Sequence, residues 1–108
     1  MNSIHVSVTS ENGQTTAIFD GELTIYSMES LSALLLHVAE PEGLLIVDLR
    51  AVSELDGSGF QFLQILKRYR SKLCYQTRIL ANDALLEKLQ SLGLAAEFDN
   101  EKEAAYGT

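Results

Sequence analysis

An α/β sandwich, one mixed β-sheet of four to five strands packed against three to four helices, is the architecture the sequence predicts. Three observations carry it. The run Leu44-Leu45-Ile46-Val47-Asp48-Leu49 is apolar on both faces apart from Asp48, as in a central strand covered above and below. Two segments, beginning near Met28 and near Gly59, place apolar residues on one helical face. Strand-like and helix-like periods follow one another in the order β-β-α-β-α-β-α-β, without internal repeats or a low-complexity linker.

The first strand is read from Ile4, Val6 and Val8 alternating with His5, Ser7 and Thr9. Asn12-Gly13 is a hairpin turn signal and leads into a second strand over Thr15 to Phe19, which Asp20-Gly21 then breaks. After Ser27, the residues Met28, Leu31, Leu34, Leu35 and Val38 share a helical face, Glu29 suits the positive helix start, and Pro41 ends the helix. The apolar run from Leu44 forms the middle of the sheet. From Gly59 onward Phe62, Ile65, Leu66, Tyr69 and Leu73 are expected to face the core, with Gln61, Gln64, Lys67, Arg68 and Lys72 opposite. A strand over Arg78 to Ala81 follows, then a third helix capped by Asn82 or Asp83, carrying Leu85, Leu86, Leu89 and Leu92 and leaving through Gly93. Ala96 to Phe98 is read as a last edge strand. Residues 1–99 are expected to form one domain and 100–108 a flexible C-terminal tail.

A chain of 108 residues has room for one such domain, and 46% apolar against 21% charged residues suits a packed core. Fifteen Asp and Glu against eight Lys and Arg give a net charge of −7, a sign that repels phosphate backbones and anionic lipid. Nucleic acid is therefore not expected as a partner. The lone Cys74 has no internal disulfide mate, and neither a leader pattern nor a stretch of about 18 apolar residues is present, so the cytoplasm is the expected location.

The segment of greatest interest is LDGSGFQFL, residues 55–63, where the central strand hands over to a helix. Ser58-Gly59-Phe60-Gln61 matches a capping box, in which the hydroxyl satisfies a free amide of the first turn. The same place, at the positive end of a helix, also tolerates a phosphoryl group. The two roles are compatible. A phosphate there adds about −1.5 to −2 charge beside Asp56, changing what docks more than how the domain folds. Gly57 and Gly59 either leave the hydroxyl open to a kinase active site or serve turn chemistry alone. On a helical wheel Phe60 lies away from the Phe62, Leu66, Tyr69 stripe, where it is either an exposed docking anchor or a cover for the loop above it.

The segment LLIVDLRAVSELDGSGFQFLQILKRYR resembles the central motif of STAS domains, the anti-sigma factor antagonist family, in which an apolar strand and an Asp-x-Ser-Gly turn lead into a helix. GELTIYSMESL resembles the family's junction of second strand and first helix, and LLEKLQSLGLAAEF its final helix and last strand. The resemblance implies a STAS-like fold and a phosphorylation-regulated, non-enzymatic protein-binding module. Phosphorylation is then expected at Ser58, with Asp56, Gly57, Ser58, Gly59 and Phe60 forming the partner-binding surface. The partner it implies is a serine kinase acting as anti-sigma factor, or a chemotaxis-type kinase, and the chain is expected as a monomer or weak dimer. Gly57 stands where antagonists commonly carry a serine. GELTIY and the neighbourhoods of Phe60-Gln61 and Lys67-Arg68 also resemble chemotaxis-associated STAS adaptors that act without phosphorylation. A STAS subunit of a lipid-transport ABC assembly is a further alternative.

Other chemistries lack their residues. The nucleophile elbow G-x-S-x-G would need glycines where Asp56 and Phe60 stand, and no phosphate-binding G-x-x-x-x-G-K-[ST] loop exists. His5, His37 and Cys74 have no metal-ligand spacing, so neither metal nor cofactor is expected. A phospho-aspartate receiver centred on Asp48 would need an acidic cluster after an early strand and a lysine after a late one, where Val8-Thr9 and Asn82 stand instead. Asp48 is expected to support the 50–57 loop by accepting its backbone amides.

Overall fold

The computed structural model describes residues 4–91. Strand β1 (Ile4–Glu11) turns through Asn12-Gly13 into β2 (Gln14–Leu23), and a short 3-10 turn (Ile25–Ser27) leads to helix α1 (Met28–Ala39). Then follow β3 (Leu44–Leu55), α2 (Gly57–Lys72), β4 (Gln76–Leu80) and α3 (Asp83–Ser91). The four strands form one mixed sheet in the order β1-β2-β3-β4, with β1 and β2 antiparallel and β2, β3 and β4 parallel. The edge strand expected over 96–98, the tail from 100, Leu92 and Gly93 lie outside the described residues.

The hairpin forms at the predicted place because Asn12 and Gly13 both take the left-handed backbone a two-residue turn demands, with φ of 55° and 78°. Asp20-Gly21 does not break β2. The register with β3 shifts between Ile18 and Asp20 and again between Gly21 and Glu22, and Gly21 absorbs the irregularity at a φ of 121°. β3 likewise outruns its apolar segment and continues to Leu55, so the expected 50–57 loop is mostly strand. Its polar residues Arg50, Ser53 and Glu54 are exposed while Val52 and Leu55 stay buried, a half-buried alternation disguised by the bulges.

One continuous core unites the sheet and helices, with Phe19 of β2 meeting Phe62 of α2 edge to face at a centroid distance of 6.2 Å. Leu31 and Val38 of α1, Leu45, Val47 and Leu49 of β3, and Leu85 and Leu89 of α3 fill the rest. Asn82, not Asp83, caps α3 by accepting the Leu85 amide at 2.8 Å, while its amide group donates to the Arg50 and Val52 carbonyls.

Helix α2 is rotated from its expected seating. Phe60, Phe62, Leu63, Leu66 and Arg70 are buried, whereas Ile65, Tyr69 and Leu73, expected in the core, are 51%, 41% and 44% exposed. Two overlapping apolar stripes run along this helix, and the one continued by Arg70 wins because its guanidinium closes a ring of backbone acceptors. It donates to the carbonyls of Ala39, Pro41, Gly43 and Gln76 at 2.5 to 3.0 Å and to the Thr77 hydroxyl at 2.8 Å. The Tyr75 ring lies 5.3 Å from the guanidinium carbon. Burial lowers the Arg70 pKa, and Tyr75 opposes that shift.

Candidate functional site

The end of β3, the start of α2 and the 3-10 turn after β2 meet in one place. Asp56 is the N-cap of α2: its Oδ1 accepts the Gly59 amide at 3.0 Å, and its Oδ2 accepts the Ile25 amide, 31 residues away in sequence, also at 3.0 Å. The Ser58 amide also serves this carboxylate. Burial pushes the carboxyl upward, but the Ile25, Gly59 and Ser58 amides and the positive charge of Lys88 outweigh it and hold its pKa below the usual carboxylate value. Lys88 of α3 donates to the Leu55 carbonyl, which ties the third helix to the same corner.

Gly59 shows why the corner closes so tightly. A Cβ at this position would lie 2.0 Å from the Leu23 carbonyl oxygen, so only glycine lets α2 start against the end of β2. Asp56 adds a backbone bond of 3.4 Å to that same carbonyl. The 3-10 turn is held from within by Ser27, whose hydroxyl accepts the Thr24 amide at 3.0 Å and donates to the Glu22 carbonyl at 2.6 Å.

Ser58 is the second residue of α2 and is partly exposed. The capping box expected from Ser58 and Gln61 does not form, because the helix starts at Gly57 and a carboxylate two residues earlier takes the cap. The Asp56 carboxylate also takes the Ser58 and Gly59 amides that an anion at this helix end would use. Gly57 is exposed, Gly59 is buried, and a side chain at Gly57 would meet open space.

Phe60 is only 8% exposed and belongs to the core, so it is not an exposed docking anchor. It lies with Phe62, Leu63 and Leu66 among the buried residues of α2. Exposed apolar surface beside the serine comes instead from the 3-10 turn, where Ile25 is 60% and Tyr26 74% exposed. The signal for these two was present in GELTIY, since they fall outside both the strand alternation and the α1 face.

Asp48 stands apart, in the middle of β3. Its Oδ1 accepts the Arg50 amide at 3.0 Å, and both oxygens take the Arg50 guanidinium at 3.0 and 2.9 Å. Burial raises its pKa, and the Arg50 hydrogen bonds and charge more than reverse this, leaving the carboxyl below its ordinary value. It secures its own strand rather than a loop. Among the described residues no cluster of His, Cys, Asp or Glu is arranged to hold a metal ion, and no helix is long and apolar enough to cross a membrane.

No family model and no curated protein sequence matches the chain. Solved structures do. An anti-sigma factor antagonist from Mycobacterium paratuberculosis is similar with a TM-score of 0.77 at 22% identity, over 90% of this chain and 84% of that one. The anti-sigma factor antagonist SpoIIAA in its unphosphorylated form gives a TM-score of 0.69 at 15% identity, over 93% and 90% of the two chains. An antisigma-factor antagonist STAS domain from Rhodobacter sphaeroides gives 0.61 at 18% identity, over 70% and 84%. At these identities the likeness is one of fold, and the four-stranded mixed sheet with its three helices is the SpoIIAA-like STAS fold.

Proposed function

We propose that this chain is a phosphorylation-regulated protein-binding module of the anti-sigma factor antagonist type, acting in the cytoplasm by contact rather than catalysis. The observation that supports this reading is the setting of Ser58: a partly exposed hydroxyl in the first turn of α2, two residues after a carboxylate kept ionised by three backbone amides. A partner docks over Ser58, Gly57 and the exposed Ile25-Tyr26 turn. Phosphorylation then adds about −1.5 to −2 charge next to Asp56, whose carboxylate already takes the Ser58 and Gly59 amides of this helix end. Repulsion and desolvation of that added charge oppose docking. SpoIIAA, which shares the fold, has been solved in phosphorylated and unphosphorylated forms.

The test is the intact mass of the protein purified from its own host, with and without phosphatase, followed by fragment mapping. The reading predicts one phosphatase-sensitive phosphoryl group on the peptide containing Ser58. Protein carrying none under any growth condition, or carrying it only elsewhere, would overturn it.

A further inference from the structure

We infer that the outer face of α2 is a second contact surface, shaped for an acidic amphipathic helix of the partner protein. Ile65, Tyr69 and Leu73 recur every four residues and are 51%, 41% and 44% exposed, forming an apolar stripe along the second half of α2 that ends on its C-cap residue. At 3.6 residues per turn Ile65 lies two turns beyond Ser58 on the same side of the helix, and the stripe from Ile65 to Leu73 runs about 12 Å along it.

Charge decides the occupant. Although the chain carries −7, the α2 sequence GSGFQFLQILKRYRSK holds four of its eight Lys and Arg residues and no Asp or Glu. Of these four, Arg70 is buried, while Arg68 and Lys72 are exposed beside the stripe. Arg70 pins the far end of α2 through four carbonyls, so the surface is rigid and costs little to order on binding. An apolar line every fourth residue with cationic flanks complements a helix bearing an apolar ridge and acidic flanks. A second copy presenting the same face would bring like charges together. An anionic bilayer would be repelled by the rest of the acidic surface, whereas a single helix lies within a Debye length of about 8 Å of the stripe alone.

The partner chemistry assigned here deepens the proposed switch, but only its Ser58 arm rests on that reading. The full chain, labelled with nitrogen-15, is titrated with a designed helical peptide that has leucines on one face and glutamates on its flanks, and with the same peptide carrying lysines instead. Amide shifts centred on Ile65 to Leu73, affinity for the glutamate peptide at least tenfold above that for the lysine peptide, and a roughly tenfold loss in Arg68→Glu/Lys72→Glu are expected. Equal affinity for both peptides, shifts elsewhere, or no shifts at millimolar peptide would overturn the inference. So would co-sedimentation with phosphatidylglycerol–phosphatidylcholine vesicles, or a self-association abolished by Ile65→Ser. Weaker binding of the glutamate peptide by Ser58→Asp links this face to the switch. Equal binding by Ser58→Asp and wild type overturns that link alone, while failure of the wild type to bind overturns the face and leaves the phosphorylation reading to its own mass measurement.

Discussion

The carboxylate of Asp56 accepts the amide of Ile25 at 3.0 Å, and this one bond joins the first turn of α2 to the 3-10 turn that presents Ile25 and Tyr26. The same side chain caps α2 through Gly59. Asp56→Ala therefore removes a cap and leaves the Ile25 amide without its acceptor. An N-cap loss costs about 0.5 to 2 kcal/mol, and the second bond sets the expectation at about 2 kcal/mol, read as a lower urea midpoint at unchanged m-value.

Ser58→Ala gives the contrasting result. Because Asp56 holds the cap, removal of the Ser58 hydroxyl is expected to change stability by no more than about 0.5 kcal/mol. A loss near 1 kcal/mol or larger in the same urea titration would return the cap to the serine and contradict the geometry described above.

Acid should weaken the fold through two carboxylates. Asp48 and Asp56 both have folded-state pKa values below their ordinary ones, so each contributes stability that is present above the unfolded value of about 3.9 and is lost as pH falls through the lower folded value. The melting temperature is therefore expected to fall between about pH 5 and pH 2, and to fall less steeply in Asp56→Asn. Parallel acid profiles for wild type and variant would show that Asp56 is not held ionised by its amides.

These outcomes also mark where the sequence was readable. The Asn12-Gly13 hairpin, the buried β3 run and the Asn82 cap depend on local chemistry, and each was visible as a residue pattern. The second bond of Asp56, to the Ile25 amide, spans 31 residues, and no local pattern encodes it. The rotation of α2 was hidden for another reason. Charged residues ordinarily face water, whereas Arg70 is fully buried and its guanidinium donates to four carbonyls and a hydroxyl. Likewise β3 outran its apolar run because bulges let polar residues continue a strand.

Gly59→Ala is expected to be severe although it adds a single methyl group. The new Cβ would meet the Leu23 carbonyl oxygen at 2.0 Å and the Leu55 side chain at 2.9 Å, and backbone cannot yield as a flexible side chain would. Destabilisation of about 3 kcal/mol or more follows, while Gly57→Ala, facing open space, should stay within about 1 kcal/mol. Comparable melting temperatures for the two variants would contradict the close seating of α2 on β2.

Arg70 offers the sharpest test of how the surface of α2 is held. Its guanidinium spreads donors in a plane to four carbonyls and one hydroxyl contributed by the end of α1, the α1–β3 connection and β4. Arg70→Ala would strand those carbonyls in a void and is expected to cost about 3 to 5 kcal/mol. Arg70→Lys keeps the charge but has a single ammonium with three donors, too few and wrongly placed for five acceptors, so it should recover less than half of the loss. If lysine restored full stability, the net charge rather than the planar fork would be what matters. The expected pattern, a large loss barely rescued by lysine in urea titrations, would instead show that hydrogen-bond geometry chooses which stripe of α2 faces the core and which faces solvent.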